Sequence, residues 1–210
     1  MKVPMSWLQA MVNLPDGTTT DEVARALTNH TATVEKVEVV GGELTGPIVI
    51  GHILSSVPEP QKNGKIINWC RVDVGPRYNA EGHPKNIAEG TEGRGIVCGA
   101  PNAVEGAWVV VSLPGAVLPG GFAISARKTY GHMSDGMLCA SDELGIGVYE
   151  PGIITLPPSV EGHQLVPGEN ALPILGVPEQ VLDVDVTPDI GYCMSMRGIA
   201  REVAHAMSVH

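Results

Sequence analysis

The first forty residues change from a helical to a strand-like spacing of apolar positions. Thr19 and Glu22 have the spacing of a capping box, in which each side chain accepts a hydrogen bond from a backbone N–H at the start of the helix. A helix is therefore predicted over residues 20–29, with a buried face formed by Val23, Ala24 and Leu27. β-Branched residues then recur through residues 33–40, which predicts a strand.

The last residues of the chain have the clearest helical pattern. Apolar side chains recur at i, i+3, i+4, i+7, i+8 and i+11, at Met196, Ile199, Ala200, Val203, Ala204 and Met207. Such a row forms one apolar face, and Ser195 before it is a suitable N-cap, so a helix is predicted over 195–209. The pattern has no glycine or proline stop, which favours a natural chain that continues beyond it. Weak strand patterns precede this helix at 153–156 and 184–186.

Short strand patterns follow one another through the middle of the chain, at residues 48–57, 66–74, 95–98, 108–113 and 122–128. Two of them alternate with a period of two, which directs every second side chain inward. The predicted inward residues are Cys70, Val72 and Val74 in one strand, and Phe122, Ile124 and Ala126 in the other. Five short strands separated by glycines and prolines predict a small closed barrel of the OB type. The polar, glycine-rich residues 75–93 are predicted to form a long loop within this barrel.

Composition limits the fold and the function further. The 210 residues include 26 glycines and 17 prolines, too many chain breakers for a helical bundle or coiled coil. The formal net charge of −10 excludes a uniformly basic nucleic-acid-binding protein, so any RNA contact needs a local basic patch. Residues 46–133 carry eight basic and six acidic side chains, whereas the flanks carry five and seventeen. This difference indicates either a mildly basic RNA-binding barrel or ordinary surface scatter.

Cysteine usage and hydropathy indicate the compartment. The chain lacks the long apolar runs of a signal peptide or a membrane span. None of its four cysteines forms a CxxC pair that would indicate a zinc site. We therefore predict a cytoplasmic protein without a metal site. Its four cysteines are predicted to be reduced and buried: Cys70, Cys98, Cys139 and Cys193.

The densest group of potential RNA-binding side chains lies at residues 127–132 and contains Arg127, Lys128, Tyr130 and His132. Its two cations could neutralise phosphates, and the tyrosine, beside an imidazole, could stack on an unpaired base. Trp69 and Arg71 share one face of a predicted strand and could add a stacking plane and a charge. The alternative interpretation makes Trp69 a core or rim residue of the barrel.

No pattern typical of a catalytic site occurs in the chain. It has no complete phosphate-binding loop, no complete dinucleotide fingerprint and no HExxH zinc motif. A Cys–His pair could form in space from Cys98 or Cys139 with His52 or His132, but a buried cysteine is the commoner case. We therefore predict no catalytic residue in this chain.

Several ordered sequence blocks resemble a known family. Similarity to the tRNA-binding OB domain of several synthetases and their cofactors lies in residues 95–102 (GIVCGAPN), 115–120 (GAVLPG), 134–139 (SDGMLC) and 141–145 (SDELG). Landmarks that look like those of the bacterial phenylalanyl-tRNA synthetase β subunit lie at residues 3–8 (VPMSWL) and 187–204. Together these blocks span nearly the whole chain, which makes the resemblance specific.

The resemblance implies a β-rich α+β architecture. An OB-type five-stranded barrel at 41–152 would be inserted into a small discontinuous α/β domain formed by residues 1–40 and 153–210. The chain would then be an N-terminal segment that contributes tRNA binding and subunit architecture to the attachment of phenylalanine to tRNA(Phe). The ATP- and Mg²⁺-dependent chemistry would lie on the α subunit, in an α2β2 assembly joined through the full-length β subunit. No cofactor is expected in this segment, and neither DNA nor a membrane is an expected partner.

The predicted RNA-binding residues are Trp69, Arg71, Arg94, Asn102, Arg127, Lys128, Tyr130, His132 and Ser134. Two other functions stay open from the sequence. One is a freestanding tRNA-binding protein of about this length, and the other is an OB barrel used only for protein docking. An affinity for tRNA that falls steeply with salt would favour RNA binding, because it reports the neutralisation of several phosphates.

Overall fold

A computed structural model describes residues 1–86 and 93–210 of the chain. Within these ranges the strands are β1 Lys2–Pro4, β2 Val34–Val40, β3 Ile48–Pro60, β4 Ile66–Asp73, β5 Arg94–Cys98, β6 Trp108–Ser112, β7 Val117–Leu118, β8 Phe122–Ala123, β9 Arg127–Thr129, β10 His132–Ser134, β11 Met137–Leu138, β12 Thr155–Leu156, β13 Ser159–Val160, β14 His163–Gln164 and β15 Glu179–Val184. The α-helices are α1 Met5–Gln9, α2 Thr20–His30, α3 Gly75–Ala80, α4 Ala171–Ile174 and α5 Met196–Met207. Short 3₁₀ turns occupy Pro84–Asn86, Pro119–Gly121 and Pro188–Met194.

The chain divides into two compact units, one formed by residues 1–42 and 178–210 and the other by residues 43–177. The second boundary lies at 177/178, which is 25 residues after the predicted boundary at 152/153. Residues 153–177 group with the barrel because they are hydrogen-bonded to it. Strand β12 pairs with β6, and the backbone of Ile50 exchanges two hydrogen bonds with residues 168–169, at 2.8 and 2.9 Å.

The first unit packs helices α1, α2 and α5 against an antiparallel sheet in the order β1–β15–β2. The predicted capping box is present at the start of α2, where Thr19 Oγ1 accepts from the Glu22 N–H at 3.3 Å and the Glu22 carboxylate accepts from the Thr19 N–H at 2.8 Å. Helix α5 begins after its predicted N-cap, because the Ser195 hydroxyl accepts from the Gly198 N–H at 3.1 Å. The core between helices and sheet contains Leu8, Val23, Leu27, Leu182, Ile199 and Val203.

The second unit is built on the predicted OB-type barrel. Its five strands follow the order β11–β6–β3–β4–β5. Strand β3 is long enough to pair with β6 through its first half and with β4 through its second, with an irregularity between Ile53 and Ser55 that bends it. The Asp135 N–H donates to the Gly95 carbonyl at 2.9 Å and so brings the chain between β10 and β11 against β5, which nearly closes the barrel. Cys70, Val72 and Val74 point into its core, as the alternation predicts.

Residues 122–128 do not form the single strand that their alternation predicts. The glycines at 120 and 121 both have positive φ, and the turn that they allow pairs β8 with β7. The chain then leaves this ribbon at Ile124, and β9 begins at Arg127 as half of a separate hairpin. Phe122 is consequently 50% exposed, while Ile124 alone of the predicted inward set is buried.

Residues 75–86, the larger described part of the predicted long loop, contain regular structure. They begin with helix α3, whose start is held by Asn79: its side chain accepts from the Val74 N–H at 3.0 Å and donates to the Asp73 carboxylate at 2.8 Å. The 3₁₀ turn Pro84–Asn86 follows. The remaining part of the prediction, residues 87–92, lies outside the described residues.

Candidate nucleic-acid interface

Strands β9 and β10 form a short basic hairpin, residues 127–134, on the barrel unit. The turn between them is Tyr130–Gly131, with φ of 48° and 90°, which is the sign pattern of a two-residue type I′ turn. This turn leaves the Tyr130 ring 44% exposed at the tip. Arg127 and Lys128 are also exposed, and within the described ranges neither forms an ion pair. Because they are consecutive in a strand, they project from opposite faces of the ribbon.

An aromatic stack joins this hairpin to the barrel. The imidazole of His132 lies on the indole of Trp69, with ring centroids 4.2 Å apart and an interplanar angle of 14°. The Nε2 atom of His132 donates to the carboxylate of Glu59, both of whose oxygens are 3.0 Å away. We call these three residues the Trp69 stack. They come from β4, β10 and β3, so the stack ties three strands together.

The Trp69 indole is placed by the strand next to it. Gly95 on β5 has no side chain, and a Cβ atom built there would lie 2.2 Å from Cη2 of Trp69. The ring therefore occupies volume that any other residue at 95 would fill. Arg71, two residues along β4, donates from Nη2 to the Gly93 carbonyl at 2.8 Å, and burial lowers the pKa of its guanidinium. Trp69 is thus a rim residue of the barrel with one face covered by His132.

Three of the predicted RNA-binding residues form hydrogen bonds within the barrel unit. Arg94 is only 4% exposed; its Nε donates to the Tyr78 carbonyl at 2.7 Å and its Nη1 lies 3.5 Å from Asp135. The buried Ser134 hydroxyl accepts from the Val97 N–H of β5 at 3.0 Å. Asn102 forms two hydrogen bonds with the backbone of Ile153, at 2.8 and 3.0 Å. Arg94 and Ser134 are therefore buried in the barrel unit, whereas Asn102 is half-buried and links residue 102 to residue 153.

Six members of the predicted set, three of them exposed and three half-buried, lie on the basic hairpin or on the strand next to it in the Trp69 stack. Trp69, Arg71, Arg127, Lys128, Tyr130 and His132 belong either to the basic hairpin or to the adjacent strand β4. Two further residues of this site were not predicted: Glu59, which accepts a hydrogen bond from His132, and Gly95, which makes room for Trp69. No local signal identifies Glu59, because its partner is 73 residues away in the chain. The strand register that brings them together is a property of the folded barrel.

Charge is distributed evenly between the two units. Residues 43–177 carry eight basic and thirteen acidic side chains, and residues 1–42 with 178–210 carry five and ten. Each unit therefore has a net charge of −5, and the basic barrel with acidic flanks that the sequence analysis considered is not present at the level of units. A phosphate-binding surface on the barrel unit depends on local cations such as those of the basic hairpin.

The cysteines are buried free thiols, as predicted. Burial raises the pKa of Cys98 to about 11 and that of Cys139 to about 12, so both thiols stay protonated at neutral pH. The two histidines considered as their partners lie against aromatic rings, His52 on Trp108 at 4.8 Å and His132 on Trp69. Within residues 1–86 and 93–210, no group of three or more His, Cys, Asp or Glu side chains is arranged to hold a metal ion.

In the part of the chain that the structure describes, no helix combines the length and the apolar character needed to cross a bilayer.

Comparison with curated proteins gives one consistent result. Over all 210 residues the chain is 95% identical to the phenylalanine–tRNA ligase beta subunit of Cutibacterium acnes. It is 52% identical over 209 residues to that of Thermobifida fusca and 44% identical over 208 residues to that of Bifidobacterium longum. These alignments cover 100%, 100% and 97% of this chain but 25%, 23% and 23% of those proteins, so the chain spans about a quarter of the length of its curated relatives. No family model matches the sequence.

The OB-type barrel and these relatives together define the class of protein: the chain matches the N-terminal part of an aminoacyl-tRNA synthetase subunit. It belongs to the phenylalanine–tRNA ligase beta-subunit family and corresponds to the N-terminal quarter of that subunit. The resemblance noted in the sequence blocks is thereby confirmed.

Proposed function

We propose that this chain contributes tRNA binding and subunit architecture to a phenylalanine–tRNA ligase. In this proposal the enzyme attaches phenylalanine to tRNA(Phe) in the cytoplasm, as an α2β2 assembly joined through the full-length beta subunit. ATP and Mg²⁺ act at the α subunit, and residues 1–210 contribute no catalytic group. The names of the relatives support this assignment, since each is a phenylalanine–tRNA ligase beta subunit.

The observation that carries the RNA-binding part is the basic hairpin beside the Trp69 stack. Exposed Arg127 and Lys128 provide positive charge without an acidic partner in the described ranges, and Tyr130 provides an exposed ring at the tip. Cations with an exposed aromatic ring beside them are what an unpaired stretch of RNA requires, since phosphates need charge and unstacked bases need an aromatic face. An OB-type barrel commonly presents such groups to oligonucleotides.

The test is binding of labelled tRNA(Phe) to the 210-residue chain at about 50 and 200 mM salt. We expect measurable affinity at the lower salt, a steep loss at the higher salt, and a loss of about tenfold or more in the double variant Arg127→Ala/Lys128→Ala. The matched control is Arg197→Ala/Arg201→Ala, which removes two exposed cations from helix α5 of the other unit. Equal loss in both variants would mean that only the net charge matters and would refute a site at the hairpin.

A docking barrel is the second candidate, and one observation favours it. The barrel unit has a net charge of −5, which opposes general attraction to RNA. Absence of tRNA binding at either salt, with the chain folded, would select this function and reject the RNA-binding proposal.

A further inference from the structure

The candidate RNA surface contains a carboxylate that RNA binding alone would disfavour. Glu59 lies near the end of β3, and about a third of its side chain is exposed beside the basic hairpin. A negative charge at this place repels phosphates and weakens any nucleic-acid complex. Its presence therefore calls for a role other than direct contact with RNA.

The contacts of Glu59 indicate what that role is. Both of its carboxylate oxygens are 3.0 Å from Nε2 of His132. The face of the same imidazole ring stacks on the Trp69 indole, with ring centroids 4.2 Å apart. His132 is the first residue of β10 and pairs directly with Thr129, so it forms the last rung of the hairpin before the tip. Fixing His132 therefore fixes the end of the ribbon that carries Tyr130.

A second observation shows why the hairpin needs this support. Strands β9 and β10 are three residues each, and within the described ranges β9 pairs only with β10. A two-stranded ribbon of this length is not stable in water by itself. At the Ser134 end it is anchored by the hydrogen bond from Val97. At the tip end the anchors are the stacking of His132 and its hydrogen bond to Glu59.

We propose that Glu59 is a positioning residue, which holds His132 on Trp69 and thereby orders the basic hairpin for RNA binding. This inference rests on the proposed function. For the effect of removing the carboxylate on RNA affinity, it predicts the opposite of what charge repulsion alone predicts. Loss of the carboxylate removes a repulsive charge and should strengthen RNA binding if charge is all that matters, whereas it should weaken binding if the carboxylate orders the hairpin.

Two substitutions separate these effects in the tRNA(Phe) binding assay. Glu59→Ala removes both the charge and the acceptor, and we expect affinity to fall about tenfold, as for loss of one hydrogen bond to a charged group. Glu59→Gln removes the charge but keeps an oxygen that can accept from His132 Nε2, and its affinity should equal or exceed that of the unmodified chain. Glu105→Ala, which removes an exposed carboxylate with no hydrogen bond in the described ranges, is the control and should not weaken binding. Equal strengthening by all three substitutions would overturn the inference.

A readout without RNA tests the positioning itself. Amide hydrogen exchange at Thr129 and His132, the hydrogen-bonded pair that flanks the two-residue turn, should be about tenfold faster in Glu59→Ala and unchanged in Glu105→Ala, because local opening of the hairpin becomes easier. The double variant Glu59→Ala/His132→Ala should exchange no faster than His132→Ala alone if Glu59 acts through His132. Unchanged exchange in Glu59→Ala would refute the inference. Faster exchange in a chain that binds no tRNA would support the positioning of the hairpin and refute the proposed function.

Discussion

The indole of Trp69 lies across the backbone of Gly95 on the neighbouring strand, in space that a single added methyl group would occupy. A Cβ atom at residue 95 would lie 2.2 Å from Cη2 and 2.5 Å from Cζ2 of the ring. Gly95 has an ordinary φ, so its role here is steric and not conformational. The position of the aromatic ring on one strand thus depends on the absence of a side chain on the next.

Gly95→Ala should displace Trp69 and separate it from His132. We expect a loss of about 1–3 kcal/mol in the free energy of unfolding, typical of an added methyl group in a packed site. Urea unfolding would measure this loss, and the ring-current shift of the His132 proton signals would report the separation of the two rings.

Gly99→Ala is the matched control for this experiment. It adds the same methyl group just beyond the end of the same strand, where nothing lies within 4 Å. Its free energy of unfolding should change by less than about 1 kcal/mol. Equal effects of the two substitutions would contradict the steric role of Gly95.

The Arg94–Asp135 pair should be the most sensitive polar contact of the barrel unit. Both side chains are at least 95% buried, and the Asp135 carboxylate also accepts from the His83 N–H at 2.6 Å. Asp135→Ala would leave a buried guanidinium with its charge unpaired, which costs about 3–5 kcal/mol in the free energy of unfolding. Asp135→Asn keeps an acceptor for the His83 N–H and should lose less.

An exposed ion pair of the same unit provides the comparison. Arg77 and Glu81 are 3.3 Å apart on the surface, one helical turn from each other. Glu81→Ala should lower the free energy of unfolding by less than about 1 kcal/mol. If thermal or urea unfolding gave similar losses for Asp135→Ala and Glu81→Ala, the buried pair would have no special role in stability.

Sequence patterns correctly predicted the structural features that depend on residues close together in the chain. The capping box at Thr19 depends on residues three positions apart, and the inward direction of Cys70 and Val72 depends on the period of two in one strand. The landmarks at 3–8 and 187–204, in order with the tRNA-binding blocks at 95–102 and 134–139, correctly indicated the family.

Sequence patterns gave wrong predictions where a contact between residues distant in the chain, or a turn outside the pattern, determines the structure. The alternation at 122–128 suits a strand, but the two glycines before it allow a tight ribbon that ends at Ala123. Arg94 has the charge of an RNA-binding residue, yet its partner Asp135 lies 41 positions away and holds it in the interior. The candidate site was predicted in part for the same reason: its cations and rings are visible in the sequence, whereas the Glu59–His132 contact requires the barrel.

The first unit contains a hydrogen-bonded group whose ionisation should link its stability to pH. The Glu202 carboxylate accepts from the Thr31 hydroxyl at 2.7 Å and from the Tyr192 hydroxyl at 2.9 Å. The bond from Thr31, followed by that from Tyr192, lowers the pKa of Glu202, while the bond to Glu202 raises the pKa of Tyr192 to about 12. The network joins the end of α2 and the 3₁₀ turn Pro188–Met194 to the middle of α5.

The sign of each effect follows from which form the folded state prefers. The folded state favours ionised Glu202, so this stabilisation is present above its unfolded pKa of about 4.3 and is lost as pH falls further. It favours neutral Tyr192, so that stabilisation is present below the unfolded pKa of about 10 and is lost as pH rises toward 12. The contribution of the network to stability should therefore be greatest between about pH 5 and pH 9.

Glu202→Gln tests this directly, because the amide cannot ionise. Its urea midpoint, followed at the Gly198 amide signal of α5, should be lower than that of the unmodified chain at pH 7, and the difference should shrink at pH 3.5. Tyr192→Phe should remove the alkaline effect and leave much of the acid effect, since the bond from Thr31 remains. Glu105→Gln, which removes an exposed carboxylate with no hydrogen bond in the described ranges, should leave the pH dependence of α5 unchanged. A difference between Glu202→Gln and the unmodified chain that stayed constant from pH 7 to pH 3.5 would show that the Glu202 contacts stabilise the unit without depending on its charge.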